Sequence, residues 1–215
     1  MAEAGNIYKV KQGDTLASLG HSNGLSWKSI WEDPRNRDLR SRRKHPNILA
    51  PGDEVFIPGI YRKEISASTE ARHKFRFNGA LSMFKMQFVN DQGESFAGEP
   101  YLLTIEGRHL RGKLDENGWI CVHIPPNARS GRIEIGEDGM IESCNLLFGH
   151  LDPIEEISGV QARLQNLGYY GGPVDGQESP ILAASIASFR RDEGLSEDGG
   201  IDEEFLRRLE ERYYS

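Results

Sequence analysis

Residues 8–16 read YKVKQGDTL, and residues 47–58 read NILAPGDEVFIP. In the first stretch Tyr8 and Val10 alternate with lysines, as on a strand with one buried face. Gly13-Asp14-Thr15 then turns the chain, and Asp14 or Thr15 can accept a hydrogen bond from the free N–H groups that open a helix. Leu16 and Leu19, three apart, share one side of that helix. In the second stretch Pro51 presets φ at the first corner of a turn, and Val55 and Ile57 alternate on a returning strand. Between the two, Gly20 to Gly24 breaks the first helix and Ser26 can cap a second. Trp27, Ile30 and Trp31 give that second helix one apolar face. The order strand, helix, helix, strand predicts a small α+β module over residues 1–61.

Outward from this module the periodicity changes twice. Residues 62–150 hold short runs of period two or of β-formers: KFRFNGALSMFKMQFVNDQG (74–93), PYLLTIEGR (100–108), LRGKLDENGWICVHIP (110–125) and SGRIEIG (130–136). Gly- and Pro-bearing turns separate them at regular intervals, the pattern of a small antiparallel β-sandwich. Asn117-Gly118 is a hairpin signal, since both residues tolerate positive φ, and Trp119 is expected to pack across that hairpin. Residues 151–215 read as three helices. Ile157, Val160, Leu164 and Leu167 form the first face, with Gly168 as its stop. Ser179 caps the second helix, Pro180 takes its first position, and Leu182, Ile186 and Phe189 form its face. Asp202 caps the third, which turns Phe205, Leu206, Leu209 and Tyr213 inward. The fold class is therefore multidomain α+β: a βααβ module (1–61), an antiparallel β-sandwich (62–150) and a three-helix bundle (151–215), joined by short linkers near 59–70 and 149–156.

Composition fits soluble domains: 27% of the 215 residues are charged and 37% hydrophobic. No run is long and apolar enough to span a bilayer, so membrane insertion is not expected. The start, MAEAGNIYKVKQG, has neither a basic n-region nor an apolar h-region, which predicts cytoplasmic synthesis without a signal peptide. Cys121 and Cys144 are too few for a disulfide scaffold and form no Cys-x-x-Cys pair, so free thiols are expected, with a bridge between them as the alternative. The net charge of −7 is uneven, the last segment carrying most of the excess acid. That asymmetry fits separate modules with different surfaces.

On Tyr8, Val10, Gly13-Asp14-Thr15-Leu16, Leu19, Trp27, Ile30, Asn47, Pro51-Gly52-Asp53, Val55, Ile57 and Pro58, the first segment resembles a LysM module. That resemblance implies binding of N-acetylglucosamine chains, as in peptidoglycan, in a groove between two loops. Carried over, the walls are Gly13, Asp14, Thr15 and Leu16, and Asn47, Ile48, Leu49, Ala50, Pro51 and Gly52. EDPRNRDLRSRRKHP (32–46) is longer and more basic than a minimal LysM connection, and in this it resembles LysM modules of tail, baseplate and injection-machine proteins. The last segment is similar to the three-helix peptidoglycan-binding domain, on Val160-Gln161, Leu164, Leu167-Gly168-Tyr169, Val174-Asp175-Gly176, Ile186, Phe189, Gly194-Leu195, Ile201-Asp202 and Leu209. It departs from the family where Phe189-Arg190 replaces Phe-Gln and ESPI (178–181) replaces the usual entry to the second helix. Tyr169, Tyr170, Asp175 and Gly176 are the glycan contacts expected in it. The middle resembles a transthyretin-type or carboxypeptidase-regulatory-type sandwich, of the kind found with LysM and peptidoglycan-binding modules beside contractile secretion spikes.

Catalytic signatures are weak. The middle segment has no Gly-x-Ser-x-Gly, no His-Glu-x-x-His and no phosphate loop. Cys121 and His123 share one strand face, with His109 and His150 elsewhere; a buried thiol and surface histidines are the simplest account, a nucleophile pair or zinc site the sharper one. The acidic pairs Asp115-Glu116, Glu155-Glu156, Glu203-Glu204 and Glu210-Glu211 fall on turns or outer helix positions, where nothing raises a pKa as a glycosidase requires. Six Arg or Lys between Arg35 and Lys44 read first as a solvated loop, with an acidic protein, wall carboxylates or phosphates as alternative contacts. Nucleic acid is not expected, because no aromatics interleave and the chain is acidic. The expectation is a non-catalytic peptidoglycan binder without metal or cofactor, delivered to or acting at the envelope as an accessory of a contractile injection apparatus. A structural adaptor that docks spike or baseplate proteins is the alternative. The two differ in one observable: a glycan binder leaves the groove beside Asp14 and Asn47 open, whereas an adaptor has it filled by protein.

Overall fold

The structure, a computed structural model, describes residues 5–59, 69–72, 81–90, 92–136 and 142–214. Most of the expected linker near 59–70 and residues 74–80 of the first sandwich run lie outside them. The chain forms two compact units, Met1–Gly149 and His150–Ser215.

In the first unit, β1 (Asn6–Lys9) and β2 (Glu54–Ile57) pair antiparallel, with Tyr8 opposite Val55. Between them lie α1 (Leu16–Ser22), α2 (Trp27–Trp31), a 3₁₀ turn (Pro34–Asn36) and α3 (Arg37–Arg42). Thr15 opens α1 through a reciprocal cap: its Oγ1 accepts from Ser18 N, and Ser18 Oγ accepts from Thr15 N, each at 3.0 Å. Val10, Leu16, Leu19, Ile30, Leu39, Leu49, Val55 and Ile57 form the core, and Trp27 and Trp31 cover it half-buried. Asn36 is buried within it. Its amide donates to Ile30 O and Phe56 O, and its Oδ1 accepts from Phe56 N, all at 2.7–2.8 Å.

The basic run was expected as a solvated loop; Arg35, Arg37, Arg42 and Lys44 are exposed, but the segment is helical and several of its arginines bind within the fold. Arg35 forks onto Asp33 at 2.8 Å through both nitrogens and stacks 3.5 Å above the Phe56 ring. Arg40 donates to the carbonyls of Trp31 and Asp33, and Arg43 forks onto Asp53. Asp33 caps the 3₁₀ turn by accepting from Arg35 N, and with Leu39 buried in the core a third helix forms where only a connection was expected.

The rest of the first unit is two facing sheets. One pairs β3 (Ser82–Gln87) with β6 (Trp119–Ile124). The other has the order β5 (Arg108–Lys113), β4 (Pro100–Ile105), β7 (Ser130–Ile135), β8 (Glu142–Leu147). Leu103, Ile105, Ile133, Ile135 and Leu146 from the larger sheet meet Ile120 and Ile124 from the smaller in one core. Strand β8, with only Leu146 buried, carries too little alternation to be read from sequence. The DENGW turn does not join a hairpin within one sheet. Asp115 Oδ1 accepts from Asn117 N and Trp119 N, only Gly118 of the Asn-Gly pair takes positive φ, and the chain passes from β5 in one sheet to β6 in the other. Trp119 lies opposite Gln87, with Lys85 Nζ 4.2 Å from its ring centre. The true two-residue hairpin turn is Glu106-Gly107, both at positive φ, between β4 and β5.

The second unit is α4 (Ile157–Asn166), α5 (Pro180–Asp192) and α6 (Glu203–Tyr214). Ser179 Oγ accepts from Leu182 N, and Asp202 Oδ1 from Phe205 N, as the caps predict. Val160, Leu164, Leu182, Ile186, Phe189, Phe205 and Leu209 interlock, with Phe189 edge-on to both Phe205 and Tyr169.

Candidate functional site

The two expected groove walls are held by a pair of buried carboxylates. Asp14 accepts from Lys11 N and from Tyr8 Oη, each at 2.9 Å. Asp53 accepts from Ala50 N at 2.9 Å and from Arg43 Nε at 2.8 Å, and it closes the Ala50–Asp53 turn in which Gly52 takes φ +93°. Burial alone would raise both pKa values, but the guanidinium, amide and hydroxyl donors outweigh it and hold both below the usual aspartate range. The walls are also tied to each other. Leu16 N donates to Pro46 O at 3.2 Å, Ala17 N to Asn47 Oδ1 at 3.4 Å, and Gly52 N to Val10 O at 2.8 Å.

These ties decide what the loops can offer a ligand. On the first wall the amides of Asp14, Thr15 and Leu16 are bonded internally, and Gly13, Asp14 and Leu16 are buried. On the second, Leu49 is buried, Asn47, Ile48 and Ala50 are half-buried, and Pro51 and Gly52 are exposed. The accessible part of the predicted groove is therefore its second wall.

A further contact bears on the first wall. Arg129, in the turn between β6 and β7, donates through its terminal nitrogen to Asp14 Oδ1 at 2.6 Å. Beside it Gly149 lies so near the Gly13–Thr15 turn that a Cβ there would come within 2.5 Å of Gly13 O and 3.1 Å of the Thr15 methyl. The sandwich thus rests on the turn that was expected to border an open groove. Nothing in the sequence singles out Arg129, one arginine in a Pro-Pro-Asn turn.

In the second unit the four expected residues are mostly occupied in holding the fold. Tyr170 is a core residue, 4% exposed, and its hydroxyl donates to Pro173 O at 2.9 Å. Tyr169 is half-buried on Phe189 and donates to Asp192 at 3.0 Å. Asp175 and Gly176 form a turn around the buried Gln161. Gln161 Oε1 accepts from both their amides, and its Nε2 donates to Asp175 Oδ1 at 2.9 Å. A concavity lies elsewhere among the described residues of this unit, at the start of α5. About 600 Å³ of open volume is floored by Leu182, Ala183 and Ile186 and walled by the 197–201 loop. Buried Arg190 fixes that wall by donating to the carbonyls of Ser196 and Gly200 and to Asp202. The sequence marked the spot only through its two departures, Arg190 and ESPI.

The Cys/His pattern gathers no site. Cys121 and His123 do share the outer face of β6, but Cys121 is exposed rather than buried, and its thiol meets Met83 Sδ at 3.6 Å. His109 lies in the other sheet, bonded to Thr104. Cys144 is a free thiol in that same sheet. Among the described residues no group of three or more His, Cys, Asp or Glu converges as metal ligands, and no helix is long and apolar enough to cross a membrane.

Comparison with known proteins agrees with both ends of the chain. Residues 8–58 match the family described as "LysM domain", and residues 154–209 match the family described as "Putative peptidoglycan binding domain". The chain is similar to the localization factor PodJL of Caulobacter vibrioides, in strain NA1000 / CB15N and in strain ATCC 19089 / CIP 103742 / CB 15. Each is 52% identical over 49 residues, covering 23% of this chain. The shared segment is 5% of that relative's length. No solved structure matches the chain.

Proposed function

We propose that this chain is a non-catalytic peptidoglycan-binding protein acting at the cell envelope. It would grip N-acetylglucosamine glycan strands through two weak sites, as an accessory of a contractile secretion or injection apparatus. The observation that carries the reading is the presence of two binding modules, a LysM domain and a peptidoglycan-binding domain, on one chain. Two weak sites joined in this way gain avidity where their spacing suits the polymer. On the LysM side the proposed contacts are the accessible wall, Asn47 to Gly52, together with the Gly13–Leu16 turn. On the other unit, Tyr169, Asp175 and Gly176 are the proposed contacts that reach the surface, Tyr170 being buried, and the concavity at the start of α5 supplies a mostly apolar floor with polar edges, as sugar and peptide ligands require. Sedimentation of the full chain with insoluble peptidoglycan tests the reading, and Ala183→Trp, which fills the concavity, tests its location.

A second reading keeps the modules but gives the LysM end a structural job. The specific observation in its favour is Arg129 on Asp14: the Gly13–Thr15 turn already has a protein occupant. An adaptor for spike or baseplate proteins would retain its partner under conditions in which glycan binding is absent.

A further inference from the structure

We infer that seating of the β-sandwich on the Gly13–Thr15 turn and glycan binding at that turn exclude one another, so that Arg129 is a built-in mask over the LysM module. The inference rests on the wall-binding reading of that module and adds a control to it.

On that reading a sugar would sit beside Gly13–Thr15, where Arg129 and the backbone of Gly149 already lie. The contact has the character of a latch. Arg129 is 46% exposed at its side chain while Asp14 is 5% exposed, so the bond sits at the rim, where water and salt can compete for it. Each partner keeps other hydrogen bonds when this one is broken. With Arg129 removed, Asp14 still accepts from Lys11 N and Tyr8 Oη. The Arg129 backbone is tied to the sheet by its carbonyl, which accepts from Phe148 N at 3.0 Å. The turn and the sandwich therefore survive release. A ligand that needs the released form binds with its affinity reduced by the fraction released, and whatever draws the sandwich away exposes the LysM site.

The test is calorimetric titration of the full chain with an N-acetylglucosamine pentasaccharide, comparing the parent with Arg129→Ala. Masking predicts that Arg129→Ala binds about three- to tenfold more tightly, that added salt narrows the difference, and that Asn47→Ala in the Arg129→Ala background abolishes the gain. A gain of binding cannot arise from misfolding. Equal affinity of parent and Arg129→Ala overturns the mask while leaving the glycan reading intact. A gain that persists without Asn47 places the sugar elsewhere and also overturns it. Binding by neither form overturns the glycan reading of the LysM module, and the mask with it.

Discussion

Arg129 and Asp14 stand 115 positions apart in sequence and 2.6 Å apart in the fold. The carboxylate belongs to the turn that opens α1 of the LysM module; the guanidinium belongs to a turn of the sandwich. One charge-assisted bond thus joins two modules that periodicity alone treats as separate.

The first concerns pH. Asp14 and Asp53 titrate below the usual aspartate range in the folded chain despite their burial. Their folded pKa values lie below the unfolded ones, so their contribution to stability is present above about pH 4 and is lost as pH falls through the folded values. All three tryptophans lie in the first unit. As pH falls, the urea midpoint followed by their fluorescence should first decline below about pH 6.5, because burial lowers the His45 pKa, and then fall again below about pH 4, with the second fall shallower in Arg129→Ala. A midpoint unchanged down to about pH 3 would contradict the assignment.

Asn36 carries the second. It is 2% exposed and makes three bonds to the backbone of Ile30 and Phe56. Asn36→Ala leaves those buried groups unpaired and should cost about 2–4 kcal/mol in denaturant unfolding of the first unit. A loss under about 0.5 kcal/mol would mean that water replaces the amide freely.

Gln161 does the same work in the second unit, where it is fully buried and holds the Asp175–Gly176 turn. Gln161→Leu fills similar volume without the polar contacts, and about 2–3 kcal/mol should be lost. Hydrogen exchange at the Asp175 and Gly176 amides should accelerate. Unchanged exchange would show that the turn holds itself.

Thiol chemistry gives the third kind of test. Both cysteines are exposed and unpaired, and burial raises the Cys144 thiol pKa, so a thiol reagent should modify two groups per folded chain without denaturant, Cys144 the more slowly. One or none would contradict the exposure of Cys121 on the outer face of β6 and of Cys144 on the edge strand β8.

Much of this was legible because it rests on local rules. The caps at Thr15, Ser26, Ser179 and Asp202, and the stop at Gly168, follow from the orphan N–H and C=O groups of helix ends, and the apolar spacings of α4, α5 and α6 follow from helical period. What sequence reading missed is non-local. Arg35, Arg40 and Arg43 looked like a solvated run because the partners that fold them, Phe56, Trp31 O and Asp53, are named only by the tertiary structure. DENGW has the chemistry of a hairpin turn, and which sheet each flanking strand joins depends on distant pairings. Strand β8 has one buried residue and hence no alternation to read. Arg129 is an ordinary surface arginine until its neighbour is known, and the concavity by α5 is a matter of shape rather than of motif.

Wall binding is tested by sedimentation of the purified full chain with insoluble peptidoglycan, beside Ala183→Trp and an Asn47→Ala, Ala183→Trp double variant, each verified as folded. The parent should sediment, filling the α5 concavity should weaken sedimentation, and the double variant should stay in the supernatant at moderate salt. A folded parent that remains in solution would contradict wall binding and leave the adaptor reading in its place.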